Sequence, residues 1–221
     1  MYERELEGRV LKFGHAGMLV HNSFVMYDHQ TDSLWVHVTG KAFHGPLKGK
    51  KLKFVPSTVT TWAKWKERYP HTLVLPGRRR DTFMGTYDGM ESTRNLGLSV
   101  VVRFKAKLYP FDALAEEPIV NDRFNGKAVV VVYAKGERTA TAWERSVAGR
   151  TLTFAWAEQT DKLGNRLLRD RETGSVWSWL TGEAVSGPLR GSSLPKLTYN
   201  PILNDRFKIF YKGAPVHGEP G

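Results

Sequence analysis

Residues 4–52 and 145–194 of this 221-residue chain lie over one another, and that repeat limits the fold more than any other feature. The first stretch reads Arg4-x3-Gly8-Arg9-x-Leu11-x-Phe13, and the second reads Arg145-x3-Gly149-Arg150-x-Leu152-x-Phe154. One inserted residue later come Asp28, Thr31, Ser33, Trp35, Thr39, Gly40, Ala42, Gly45, Pro46, Leu47, Gly49 and Leu52. They are answered in order by Asp170, Thr173, Ser175, Trp177, Thr181, Gly182, Ala184, Gly187, Pro188, Leu189, Gly191 and Leu194. Seventeen identities across one gap establish a tandem duplication. The fold is therefore one that a short segment builds twice in a single chain.

The repeated pattern is that of strands. Short runs of β-branched and aromatic residues alternate with Gly, Pro and Asp punctuation, which predicts an all-β protein. The first copy offers strands at Val10 to Phe13, Leu19 to Tyr27, Leu34 to Val38 and Lys51 to Val55. Asp28 with Thr31 and Ser33, and Asp170 with Thr173 and Ser175, have the spacing of side-chain-to-backbone bonds that fix a turn. Trp35 and Trp177 follow one strand-step later and are predicted core residues. The expected architecture is two related small barrel-like or curled-sheet modules, residues 1–97 and 98–221, joined around Gly77 to Gly97, each with one or two short helices.

The second copy is preceded by a stretch without a counterpart before Arg4. Tyr109 to Leu114 reads as a short helix. Asn125-Gly126, between two apolar runs, is a strong hairpin signal. The first module is thus expected to be incomplete at its start, with an open strand edge that another segment or chain fills; a homodimer is one such arrangement.

Together these motifs resemble the family catalogued as domain of unknown function 3179. The resemblance runs from Arg4 to Leu75, including Thr60-Thr61-Trp62-x2-Trp65 and Pro70-x-Thr72-x-Val74-Leu75, and again from about Tyr109 to Leu194. It implies no established activity. Family members often carry Tyr-Cys-Pro-Leu-Cys after the strand that follows the hairpin, where this chain has Tyr133-Ala134-Lys135-Gly136-Glu137.

The chain has no cysteine, which excludes disulfides, thiolate metal sites, iron–sulfur clusters and a cysteine nucleophile. Its longest apolar run, Ala128 to Ala134, is too short to span a bilayer as a helix. The acidic start Met1-Tyr-Glu-Arg-Glu5 does not resemble a secretory leader, and a cytoplasmic setting is expected. The net charge is +11, and it is concentrated: Lys48 to Arg80 holds ten bases against Glu67. Such a field attracts anions. Lys50, Lys51, Lys53, Lys64, Arg68, Arg78, Arg79 and Arg80 are the candidate contacts for an anionic ligand, partner or nucleic acid. Thr60 or Thr61 can cap a two-turn helix that places Trp62, Trp65 and Tyr69 on one face and Lys64 and Arg68 on another. If those rings are exposed they offer stacking surfaces, as in single-strand binders; otherwise they pack on the sheet.

Five of the seven histidines fall between His15 and His44. His15, His21 and His37 are the candidate ligands of a transition metal, with His15 and His21 sharing strand parity if the strand is regular. No tight His-x-His pair supports them. No cofactor is otherwise expected: phosphate-cradling glycine loops are absent, and Ser33 and Ser175 have the spacing of turn formers. The leading expectation is a non-catalytic binding protein with a basic first half. The alternatives are a metal-dependent enzyme with a histidine site in the first repeat and a single-stranded nucleic-acid binder.

Overall fold

A computed structural model describes residues 1–58, 60–74 and 95–219. The side chain of Lys64, the arginines Arg78, Arg79 and Arg80, and most of the expected junction lie outside the described residues.

The first copy begins with a two-stranded ribbon, β1 (Glu5–Leu6) and β2 (Arg9–Val10). A four-stranded antiparallel sheet follows in sequence order: β3 (Phe13–Val20), β4 (Ser23–Asp28), β5 (Leu34–Val36) and β6 (Lys41–His44). The helix α1 (Trp62–Arg68) comes next. All four expected strands change. Val10 to Phe13 is split between the end of β2 and the start of β3, and Leu34 to Val38 stops at Val36. Leu19 to Tyr27 is broken by a hairpin turn at His21 and Asn22, both at positive φ (47° and 56°) as a tight primed turn requires. Lys51 to Val55 forms only isolated bridges, Lys51 to Lys41 and Phe54 to Tyr2.

The second half opens with β7 (Leu96–Val102) and β8 (Lys105–Pro110), then α2 (Phe111–Glu116). The expected module boundary at 97/98 falls inside β7. Next are β9 (Ile119–Phe124), β10 (Lys127–Ala134) and β11 (Thr139–Glu144), a sheet of order β11-β10-β9. Asn125 and Gly126, at φ 46° and 80°, make its first turn.

The repeat then returns. β12 (Ser146–Val147) and β13 (Arg150–Thr151) pair as β1 and β2 do. β14 (Phe154–Thr160), β15 (Arg166–Asp170), β16 (Val176–Trp177) and β17 (Ala184–Ser186) form the matching four-stranded sheet. β18 (Thr198–Leu203) joins β7 in a third sheet, order β18-β7-β8, and α3 (Asn204–Phe210) follows it. The fold is all-β in open sheets of two to four strands, with none closed into a barrel among the described residues.

β10 explains the longest apolar run. It is the central strand of its sheet, and six of its eight residues are buried. Val129 and Val131 join the cluster that holds Tyr109, Phe111 and Leu114, while Val130 and Val132 join the one around Trp177. A strand covered on both faces reads as a continuous rather than alternating apolar stretch.

The two copies also share their long-range contacts. Trp143 lies on Gly182 and donates its indole N–H to the Trp179 carbonyl at 2.8 Å. Tyr2 lies on Gly40 and donates its hydroxyl to the His37 carbonyl. Tyr2 bridges Phe54 as Trp143 bridges Lys196. Met1 to Glu3 thus occupies, in the first copy, the place of the end of β11. The copies meet where Val38 packs among Leu108, Ile202 and Phe207, and where Thr58 shares a hydrogen bond with the Tyr199 hydroxyl.

Candidate functional site

The two Asp-Thr-Ser-Trp segments form one and the same buried knot. Asp170 accepts from the Thr173 backbone N–H (2.6 Å), the Thr173 hydroxyl (2.9 Å) and the Trp177 indole (2.8 Å). Ser175 hydroxyl oxygen lies 2.7 Å from that of Thr173 and accepts from the Leu189 N–H. In the first copy Asp28 accepts from Thr31 and Trp35, and Ser33 from the Leu47 N–H, with matching lengths. All these aspartates and serines are fully buried. The knot ties the β4–β5 turn, and its β15–β16 equivalent, to the Gly45-Pro46 and Gly187-Pro188 turns. It leaves no serine hydroxyl facing a cleft, so its place is in the fold.

The basic residues fall into three groups. Lys50 and Lys53 pair with Glu7 and Glu3, which offsets part of their charge. Lys51 faces Lys41 across an isolated bridge, and neither has an acid within ion-pair distance among the described residues. Desolvation, and then the Lys41 charge, lowers the ammonium of Lys51 below its ordinary value. The same bridge in the second copy joins Glu183 to Ser193, so this pair of like charges is a property of the first copy alone.

The third group sits on α1. Lys66 lies 6.0 Å from the Trp62 ring and donates to the Pro70 carbonyl, closing the end of the helix. The Arg68 guanidinium lies 5.8 Å from the Tyr69 ring. Trp65 and Tyr69 are in contact at 4.5 Å, and Trp65 donates its indole N–H to the Thr72 hydroxyl. Trp62, Trp65 and Tyr69 are 53%, 42% and 46% exposed. The packed alternative therefore does not hold.

The repeat explains the exposure. Advancing α1 by the 142 residues that separate Asp28 from Asp170 lays it on α3 end to end. Trp65 and Tyr69 then correspond to Phe207 and Tyr211, which stack at 4.9 Å. Phe207 is fully buried beside Leu108 of β8 and Ile202 of β18. No strands equivalent to β7 and β8 stand beside α1 among the described residues, so the same ring pair faces outward. On one side Trp65 and Tyr69 border a cleft of about 200 Å³ shared with Leu180 and Asn165 of the second copy.

The histidines do not converge. His21 sits in the β3–β4 turn, so the parity argument linking it to His15 does not apply. Its ring neighbours Phe210 at 6.0 Å. His15 accepts the Gly17 N–H on Nδ1, and Phe24 stands between His15 and His37 at 4.6 and 5.9 Å. Desolvation, and then the amino terminus, lowers the imidazole of His37 below its ordinary value. Among the described residues no group of three or more His, Asp or Glu side chains is placed to hold a metal ion.

One constellation was missed in the sequence. Trp156, Arg166 and Trp179 meet on the second copy's four-stranded sheet, with Arg166 4.3 Å over the Trp156 ring. The repeat carried the signal: with the offset of 141 that holds before the inserted residue and 142 after it, these residues correspond to His15, Phe24 and His37.

No helix among the described residues is long and apolar enough to cross a membrane. No curated protein and no solved structure matches the chain. A family profile does, over residues 1–100 and again over 86–216, as two overlapping partial copies. The duplication, the repeated knot and this double match have one source, and the chain belongs to the family described as protein of unknown function (DUF3179).

Proposed function

We propose that the protein is a non-catalytic binding module whose first copy engages an anionic polymer through α1 and the bases around it. The observation that carries the reading is the outward display of Trp62, Trp65 and Tyr69 beside Lys66 and Arg68, where the second-copy counterparts of Trp65 and Tyr69, Phe207 and Tyr211, are packed in the core. Exposed rings interleaved with cations suit a chain that offers both phosphates and flat faces. The unrelieved Lys41–Lys51 pair adds a second point at which an anion lowers the energy of like charges. The run Arg78-Arg79-Arg80 extends the same charge along the sequence.

Exposed tryptophan favours single-stranded nucleic acid over other polyanions, because every base offers a flat π-face to stack on an indole, whereas a heavily sulfated sugar presents mainly charge. The test is fluorescence anisotropy with a labelled oligo(dT) and a labelled heparin fragment across a salt series. Affinity for both should fall steeply with salt, and the Lys66→Ala, Arg68→Ala pair should lower the salt slope by about 1–2. Trp62→Ala with Trp65→Ala should weaken oligo(dT) while sparing heparin; equal weakening removes the nucleic-acid reading. Undetectable binding of both at low salt, or binding unchanged when Arg78, Arg79 and Arg80 become Ala, overturns the proposal.

A further inference from the structure

A second cleft, of about 360 Å³, lies on the other copy, where β14 and β15 approach the turn Lys135–Glu137. Its walls include Trp156, Trp179, Tyr133 and Pro118. Trp156 and Trp179 meet edge to face at 6.5 Å. Arg166 is exposed above Trp156 with no acid within ion-pair distance among the described residues. Lys135 brings a second cation to the rim, and Glu137 one carboxylate. Cavities of this size with apolar walls and a few placed polar groups are the ordinary form of small-molecule sites.

An internal control separates this cleft from a packing defect. In the first copy His15, Phe24 and His37 stand at these positions and keep ring contacts at 4.6 and 5.9 Å. Phe24 and His37 line a cleft of about 410 Å³ there. The fold therefore keeps a ring cluster and a cleft in both copies, yet it requires neither the guanidinium nor the indole.

We propose that the second-copy cleft binds a small molecule with a flat apolar body and one carboxylate, the body against the aromatic walls and the carboxylate paired with Arg166. This site is separate from the α1 surface and does not depend on it. The probe is 2-naphthoate, compared with the neutral 2-naphthylmethanol, by titration calorimetry on the full chain. The acid should bind saturably with a Kd of about 1 mM or tighter, and the alcohol roughly tenfold more weakly. Arg166→Gln should abolish that preference and leave the alcohol's affinity as it was. Because Arg166 is exposed, the variant should melt with the wild type, which separates loss of the site from loss of the fold. Lys41→Ala with Lys51→Ala should change nothing. Equal binding of acid and alcohol, an acid preference that survives Arg166→Gln, an acid signal that disappears with the Lys41 and Lys51 pair, or no binding of either probe would each overturn the proposal.

Discussion

Replacing Trp177 with Phe tests whether the buried knot holds the fold together or merely decorates it. Trp177 is fully buried, and its indole is one of two donors to Asp170 Oδ2, the other being the Thr173 hydroxyl at 2.9 Å. Phenylalanine keeps most of the ring and removes the N–H. A hydrogen bond to a charged group contributes about 1.5–3 kcal/mol. The smaller ring leaves a gap that adds about 1 kcal/mol. The sum, about 3 kcal/mol, corresponds to a fall in Tm of roughly 6–12 °C for a chain of this length. Trp35→Phe removes the matching bond at 2.9 Å from a smaller cluster, in which Leu11, Trp35, Ala42 and Leu52 are the buried members. Scanning calorimetry on both variants reads the loss and also its location. Trp35→Phe should lower the first transition if the copies melt separately, or the single transition if they do not. A loss below about 1 kcal/mol for Trp177→Phe, with the native near-ultraviolet dichroism retained, would refute the assignment of the knot as a main structural tie.

The paired glycine turns give a steric test. Gly187 (φ +90°) would place a Cβ 2.6 Å from the Ser175 Cα, whereas Gly191 (φ +84°) has open space. Gly191→Ala should therefore cost about 1–2 kcal/mol from backbone strain alone and Gly187→Ala about 3 kcal/mol or more, by urea unfolding. Asp122 is the clearest acid-sensitive group. Burial raises its carboxyl, but hydrogen bonds from Lys107, Tyr109 and the Arg123 N–H outweigh that and leave it below its ordinary value. The unfolded chain then binds the proton more readily, so this stabilisation is present at neutral pH and is lost below about pH 4 as the folded group titrates. Asp122→Asn should cost about 2 kcal/mol at pH 7 and flatten the acid limb of a Tm-against-pH series. Finally, residues 95–219 expressed alone should fold, whereas residues 1–74 alone should give the dispersion of an unfolded chain in proton NMR, because Val38 and Thr58 lean on the second copy.

What was legible in the sequence followed from local chemistry. Asn125-Gly126 favours a primed turn and stands where expected, while the helix expected over Tyr109 to Leu114 begins two residues later, at Phe111, because Tyr109 and Pro110 close β8. The duplication was legible because identities at turns and core positions answer to the same steric demands twice. The misses came from signals that period alone cannot carry. His21 and Asn22 resemble strand residues in pattern, yet positive φ at both makes them a turn. Phe13 to Val20 contains His15, Ala16 and Gly17, a poor strand by composition; it pairs with β4 at its two ends, Phe13 to His15 and Leu19 to Val20, and the register shifts between them, where Gly17 takes a φ of 71°. Trp65 and Tyr69 show the limit for the site. Their spacing gives one helical face, but whether such a face meets a sheet depends on distant strands: Leu108 of β8 covers Phe207 of α3 from 99 positions away, and α1 has no equivalent strand beside it among the described residues.

The two copies differ where a position's neighbours come from outside the repeat. Asp28, Thr31, Ser33 and Trp35 bond only within their own copy, and the second copy reproduces them atom for atom. His37 and Trp179 also answer one another, but only their carbonyls have the same task, as acceptors for Tyr2 and Trp143. Their side chains point to surroundings supplied by different segments: Ile202 and Leu203 of the other copy for His37, and the Tyr133–Glu137 rim for Trp179. Backbone roles at such positions hold the turn in place while the side chain is released from the fold's demands. That is the condition under which a duplicated sheet can keep its shape and acquire two different surfaces, one bordered by Phe24, His37 and Ile202 and the other by Trp156, Arg166 and Trp179.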